Sequence, residues 1–416
     1  MSRKRNLAVS AERIGADLDA LAAITEAGRP WTRRAFTPMH LEGRAYLERR
    51  FRDAGLDTHI DASGNLIGRR NGKDSALGVI MLGSHSDTVP DGGRFDGVAG
   101  VVAALEVARA LAEAGVQLDH TLEIVDFLAE EVSIFGVSCI GSRGMAGLRP
   151  ADWLSREASG MTLAEGLSIA GGNPDHMMKR ADVRGFLELH IEQGPILEAE
   201  NCNIGIVTAI AGITRIEVTV EGRADHAGTT PMNARCDALS AAMRLVLGIE
   251  TSAATLAKGP RHFVATVGEF AMLPNAANVV PSHVRLLIDA RSELRDDIEA
   301  FTAQLEALSA EVAATSGALI AARPISDASA VPMDTDVIDL LGQNADALGI
   351  SQRRLASGAG HDAAFMARIA KAGMVFIPCR GGRSHAPEEW AENEDIALGT
   401  AVLMGTVRTL DQQLKE

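Results

Sequence analysis

Apolar residues recur at helical spacing over residues 13–27 and 39–54, and each run is followed at once by a glycine, Gly28 and Gly55. That combination predicts two helices with glycine stops. The pattern then shortens to an extended piece over 57–60, a Ser63-Gly64-Asn65 turn and a strand over 66–69. Residues 77–83 are continuously apolar, as in a strand buried on both faces. A long helix over 98–114 and a strand over 121–128 follow. Strand, helix and strand with connections of this length predict a mostly parallel, helix-covered sheet.

The middle of the chain has a different rhythm. Residues 213–220 alternate apolar and polar, 237–249 read as an amphipathic helix, and 263–270 and 284–290 read as strands. A second helix over 296–314 and a strand over 318–323 complete a β-α-β-β-α-β order, that of the ferredoxin-like unit. Helix, strand and helix patterns resume at 337–348, 373–378 and 396–410. The expected fold is therefore a larger α/β domain with a helix-covered, mostly parallel sheet (residues 1–210 and 329–416) and an inserted ferredoxin-like α+β domain (residues 211–328). Small residues flank the insertion at Ala209-Ile210-Ala211-Gly212 and Asp327-Ala328-Ser329-Ala330, where hinges are expected. No solenoid repeat or low-complexity tract is visible.

Composition narrows the function. At 416 residues the chain exceeds the size of one core. A net charge of −15 argues against nucleic acid or an acidic membrane surface as partner. The basic start Ser2-Arg3-Lys4-Arg5 is too short to change that, and no apolar run follows it, so no secretory signal is read there. No stretch is expected to reach the length of a membrane span. Four scattered cysteines, Cys139, Cys202, Cys236 and Cys379, form no CxxC pair. Reduced thiols in the cytoplasm are the expectation.

The densest chemical signal is Gly83-Ser84-His85-Ser86-Asp87-Thr88-Val89-Pro90 with Gly92-Gly93-Arg94-Phe95-Asp96-Gly97, placed where a buried strand ends. Sites in open α/β sheets form outside the carboxyl ends of strands. His85 suits zinc, Asp96 can bridge two ions, and Asp87 is placed to accept the other imidazole N–H of His85. Glu130-Glu131 follows the next apolar strand. Adjacent acids there repel unless a cation neutralises one, so one can bind metal while its neighbour serves as general base. His190, in Phe186-Leu187-Glu188-Leu189-His190-Ile191-Glu192-Gln193-Gly194-Pro195, and His385, in Gly381-Gly382-Arg383-Ser384-His385-Ala386-Pro387-Glu388-Glu389, complete the set. A lone histidine is more often structural than a ligand. Together, His85, Asp96, Glu131, His190 and His385 suit a pair of zinc, manganese, cobalt or nickel ions sharing one carboxylate.

In that order the four blocks, from about Ala35 to Arg408, resemble the hydantoinase/carbamoylase branch of the dinuclear-metal amidohydrolases, relatives of aminoacylase and carboxypeptidase G. The branch holds N-carbamoyl-L-amino acid hydrolases, bacterial β-ureidopropionases and allantoate amidohydrolases. The resemblance implies two divalent ions, zinc first. His85, Asp96 and His190 would hold one, and Asp96, Glu131 and His385 the other. Glu130 would be the base, supported by Asp87. His226, in Gly222-Arg223-Ala224-Asp225-His226-Ala227-Gly228, resembles the oxyanion-stabilising histidine. Asn278 and Arg291 resemble the pair that binds a substrate carboxylate, and Gln193 and Gly360 resemble pocket-lining residues. His190 favours the carbamoylase branch, because deacylase and exopeptidase relatives commonly carry a carboxylate there. Ser86, Arg383 and Ala386 depart from the family's usual residues. The resemblance also implies a homodimer in which the inserted domain serves as lid and interface. Allantoate amidohydrolase, β-ureidopropionase, aminoacylase or aminopeptidase, and a non-catalytic metal-binding protein are the rival readings.

Overall fold

The computed structural model describes residues 9–259 and 261–415. The basic Ser2-Arg3-Lys4-Arg5 start, and what was expected of it, lie outside them. The chain divides into two compact units. One runs to Thr208 and resumes over Met333–Arg354 and from Gly360 onward; the other comprises Ala209–Pro332 and Leu355–Ala359.

The first unit is built on a mixed sheet whose strands run, in spatial order, Asp57–Ile60, Leu66–Arg70, Thr121–Phe127, Val79–His85, Val183–Ile191, Lys371–Ile377 and Ile204–Ile210. The middle four are mutually parallel, and the flanking pairs are antiparallel. Register aligns the strand ends. His85 pairs with Phe127, and His190 with Phe376, so the carboxyl ends of neighbouring parallel strands lie side by side. Helix Val98–Glu113 is buried over nearly its whole length and packs on three of these strands.

Some boundaries moved for identifiable reasons. The first helix is Ala11–Ala23, ending before the expected residue 27. Buried Arg33 accounts for the stop, because its guanidinium donates to the carbonyls of Leu21 (2.5 Å) and Ile24 (2.9 Å), which a continuing helix would use itself. The strand expected from residue 77 begins at Val79, behind a short Ser75–Leu77 turn and Gly78 at φ 94°. Strand Val183–Ile191 carries polar residues that mask its burial. Glu188 is fully buried because it accepts from the Ser84 hydroxyl (2.7 Å) and from the Ala363 N–H (3.1 Å).

In the second unit, strands run in the order Phe263–Leu273, His283–Ser292, Gly212–Glu221 and Leu319–Ala328, all antiparallel, with helices Ala238–Leu256 and Arg295–Ser316. This is the expected ferredoxin-like arrangement. Along His283–Ser292, Val284, Leu286, Ile288 and Ala290 are buried in the core, which leaves Arg285, Asp289 and Arg291 on the other face. Helix Ala238–Leu256 corrects one expectation, since by length and composition it does reach a membrane span. Its Ala241, Ala242, Leu245 and Ile249 are instead packed in the core of this unit.

Candidate metal centre

Four adjacent parallel strands each deliver part of the site at their carboxyl ends. His85 is the last residue of its strand, Glu130 and Glu131 follow Phe127, His190 precedes Ile191, and the loop after Ile377 leads to His385. Among the described residues, two ligand groups gather, His85–Asp96–His190 and Asp96–Glu131–His385.

Asp96 belongs to both. Its Oδ1 lies 3.5 Å from His85 Nε2 and 3.3 Å from His190 Nε2. Its Oδ2 lies 3.5 Å from His385 Nε2, which is itself 3.0 Å from Glu131 Oε1. Each carboxylate oxygen therefore faces a different group. Gly97 is required beside it, because a Cβ there would meet His85 Cε1 at 2.3 Å, and its φ of 66° disfavours any side chain.

The remaining ring nitrogens are fixed by the backbone. His85 Nδ1 lies 3.0 Å from the Asp87 carbonyl oxygen and His190 Nδ1 lies 2.9 Å from the Ile191 carbonyl oxygen, which turns both Nε2 atoms toward Asp96. Asp87 thus differs from the expectation in detail. Its carbonyl takes the short contact with the ring, while its carboxylate, 3.6 Å from His85 Nδ1, accepts the N–H groups of Glu130 and Glu131, both at 3.2 Å.

Electrostatics follow from crowding acids and histidines together, all of them buried except His385, which is exposed. Burial raises the pKa of Glu130 well above the ordinary carboxylate value, aided by Glu131, Asp362 and Asp87 and opposed by His85. Burial opposes charge on His85, but Glu130, Asp87 and Asp96 outweigh it and raise its pKa well above the usual value. Hydrogen bonds to Asp96 and Glu131 raise His385 to about 10. Burial opposes the charge on Asp96, and His190, His385 and His85 overcome it and keep the carboxyl well below its ordinary range.

Divalent ions fit this donor set. His85 Nε2 is buried without a hydrogen-bond partner, and the mixed imidazole and carboxylate donors are those that zinc, manganese, cobalt and nickel accept. Glu130 Oε2 is 3.6 Å from His85 Nε2, yet Glu130 belongs to neither ligand group. Backbone strain collects here. Ala129, Gln193 and His385 all have φ between 54° and 56°, which costs energy in non-glycine residues and is tolerated where the surroundings hold it.

Gln193 donates through Nε2 to Asp96 Oδ2 at 2.6 Å, so it contacts the shared carboxylate. Gly360 is an exposed loop residue. Arg383 pairs with exposed Glu388 at 3.3 Å. The other expected substrate residues belong to the second unit. Arg291 Nε donates to Asp289 Oδ1 at 2.7 Å and its Nη1 to the Gly358 carbonyl at 2.8 Å. Exposed His226 accepts at Nδ1 from the Gly228 (3.1 Å) and Thr229 (3.2 Å) N–H groups, which leaves the ring proton on Nε2. Asn278, also exposed, anchors the same loop, its carbonyl accepting from Ala227 N at 3.0 Å. Sequence reasoning gave no role to Ser384, Glu389 or Asp289. The first two stood inside the His385 block, but local pattern does not say what such residues touch.

A family model described as Peptidase family M20/M25/M40 matches residues 81–409. The N-carbamoyl-L-amino-acid amidohydrolase of Paenarthrobacter aurescens is 39% identical, over 97% of this chain and 98% of its own. The allantoate amidohydrolase of Bacillus subtilis is 35% identical, over 89% and 90%. A solved hydantoinase/carbamoylase family amidase from Burkholderia multivorans matches with a TM-score of 0.90 at 35% identity, over 96% of this chain and 98% of that one. The chain belongs to peptidase family M20/M25/M40, a family of metal-dependent hydrolases. Within it, the chain is a hydrolase of the hydantoinase/carbamoylase type, acting on carbon–nitrogen bonds other than peptide bonds.

Proposed function

We propose that the enzyme hydrolyses a small N-carbamoyl amino acid to the amino acid, carbon dioxide and ammonia, with two divalent ions, zinc first among them, held by His85, Asp96, His190, Glu131 and His385. The observation that carries the reading is the division of Asp96, one oxygen toward each histidine group. When bound, the ions would acidify water and polarise the scissile carbonyl. Glu130, buried beside both groups and outside them, takes the proton from the attacking water and returns it to the leaving nitrogen. Asp87 fixes the backbone of Glu130 and Glu131 during this exchange.

His226 donates its Nε2 proton to the developing oxyanion. Arg291, oriented by Asp289, pairs with the substrate carboxylate, and Asn278 supports that contact. Gln193 and Gly360 line the pocket. The inserted unit serves as lid and as homodimer interface. In favour of the interface, strand Phe263–Leu273 is an edge strand with Val264, Phe270 and Leu273 exposed, and Leu247 is exposed on helix Ala238–Leu256. All four cysteines are unpaired, in keeping with a cytoplasmic enzyme.

Turnover should be assayed as ammonia release from N-carbamoyl-L-amino acids and allantoate and as release of free amino acid from N-acyl amino acids, before and after chelation and with metal restored. Metal-dependent turnover of carbamoyl amino acids above the others supports the reading. Preference for allantoate would move the assignment to that branch, and full activity in verified metal-free enzyme would end the two-metal proposal.

A further inference from the structure

Glu389 lies four residues after His385 and is 1% exposed. Both its oxygens are engaged. Oε1 accepts the backbone N–H of Phe95 at 2.8 Å and of Asp96 at 3.0 Å, and Oε2 lies 2.8 Å from the Ser384 hydroxyl. That hydroxyl also lies 2.7 Å from Asp96 Oδ2. The carboxylate rests directly on Gly93, where a Cβ would fall 1.9 Å from Glu389 Cδ. Around this contact, Phe95 stacks edge-on against Trp390 at 5.4 Å, and the Trp31 indole N–H donates to the Pro387 carbonyl at 3.1 Å.

Two loops nearly 300 positions apart in sequence are thereby joined, one carrying Asp96 and the other His385. His385 needs such a brace, because its backbone sits at φ 54°. The first ligand group has other supports. His85 and His190 lie at strand ends, with their second nitrogens on the carbonyls of Asp87 and Ile191. Among the described residues, the hydrogen bonds of the Glu389 carboxylate go to Phe95, Asp96 and Ser384 and to neither of these histidines.

We propose that Glu389 is a positioning residue that fixes the spacing of Asp96 and His385, and so sets the affinity of the Asp96–Glu131–His385 site more strongly than that of the His85–Asp96–His190 site, which shares only Asp96 with it. The proposal rests on the two-metal reading above.

The test is a Zn²⁺ titration of metal-free enzyme against a competing chelator. The parent should bind two equivalents, and His385→Ala identifies which of them belongs to the Asp96–Glu131–His385 site. Glu389→Ala should weaken that same equivalent about 10–100-fold, the usual effect of removing a group that orients a ligand, and weaken the other, which shares Asp96 but keeps two histidines held at strand ends, by clearly less. If the alanine variant does not fold, Glu389→Gln and Gly93→Ala carry the test. The glutamine keeps an acceptor for the two N–H groups and should weaken the same equivalent less, and the Gly93 Cβ should displace the carboxylate without altering any ligand. Two equivalents bound as in the parent, or both weakened alike, would overturn the role of Glu389 and leave the two-metal reading standing. A parent that binds fewer than two ions would remove both.

Discussion

The carboxylate of Asp87 accepts the backbone N–H of Glu130 at 3.2 Å, so the strand that ends in His85 fixes the backbone of the proposed general base on its neighbour. Its second oxygen does the same for Glu131.

This pairing predicts the outcome of Asp87→Asn. The amide would turn an N–H toward a backbone N–H that now has an acceptor, while the Asp87 carbonyl facing His85 is retained. We expect kcat to fall about 10–100-fold, as for other groups that orient catalytic residues, with the His85 metal equivalent kept. Steady-state kinetics with metal analysis decide; unchanged kcat would make the contact incidental.

Glu130→Gln should keep both metal equivalents and lose about 10²–10⁴-fold in kcat, the typical loss of a general base. Glu131→Gln should lose an equivalent instead. The reverse pattern in metal analysis would exchange the two roles.

Arg291→Ala should raise KM for carboxylate substrates far more than for their amide analogues, because a paired guanidinium discriminates by charge and geometry. Asp289→Asn should give a smaller effect of the same kind, since Asp289 holds the guanidinium at 2.7 Å. Equal losses on both substrate types would make Arg291 structural.

Acid should destabilise the fold through His40. Burial, then Arg44, lowers its pKa from 6.5 to about 3. The unfolded chain binds this proton and the folded one does not, so stability falls as pH drops from 6.5 toward 3, by up to about 1.4 kcal/mol per pH unit. Urea unfolding of metal-free protein at several pH values should show a shallower acid decline in His40→Gln. Parallel pH curves for parent and variant would contradict this.

If His226 acts across a dimer interface, mixing Glu130→Gln with His226→Ala subunits should restore activity at one hybrid site, although each parent is nearly inactive. No recovery in proven heterodimers would sink the shared site.

Much of this was legible in one sequence. The buried strand before His85 and the β-α-β-β-α-β order are written in periodicity, since a two-residue repeat can bury one face of a strand and a helical repeat one face of a helix. The ligand types stood at strand ends because loops there can turn polar groups toward one another. Val183–Ile191 was less plain. Its Glu188 and His190 look like surface residues until Ser84, Ala363 and Asp96 supply partners.

The sequence by itself determined which residues could serve as ligands and base, and the family resemblance it carries pointed to the oxyanion donor, but strand Val183–Ile191, which holds His190, was not read from it. Only the tertiary structure decided that Asp96 divides its oxygens between two groups, that Asp87 serves the acid pair through its carboxylate, and that Glu389 joins the Asp96 and His385 loops. The reason is distance along the chain. Periodicity reports which face of an element is buried, whereas a contact such as that between Glu389 and the Phe95 N–H spans 294 positions and exists only once the strands have taken their order in the sheet.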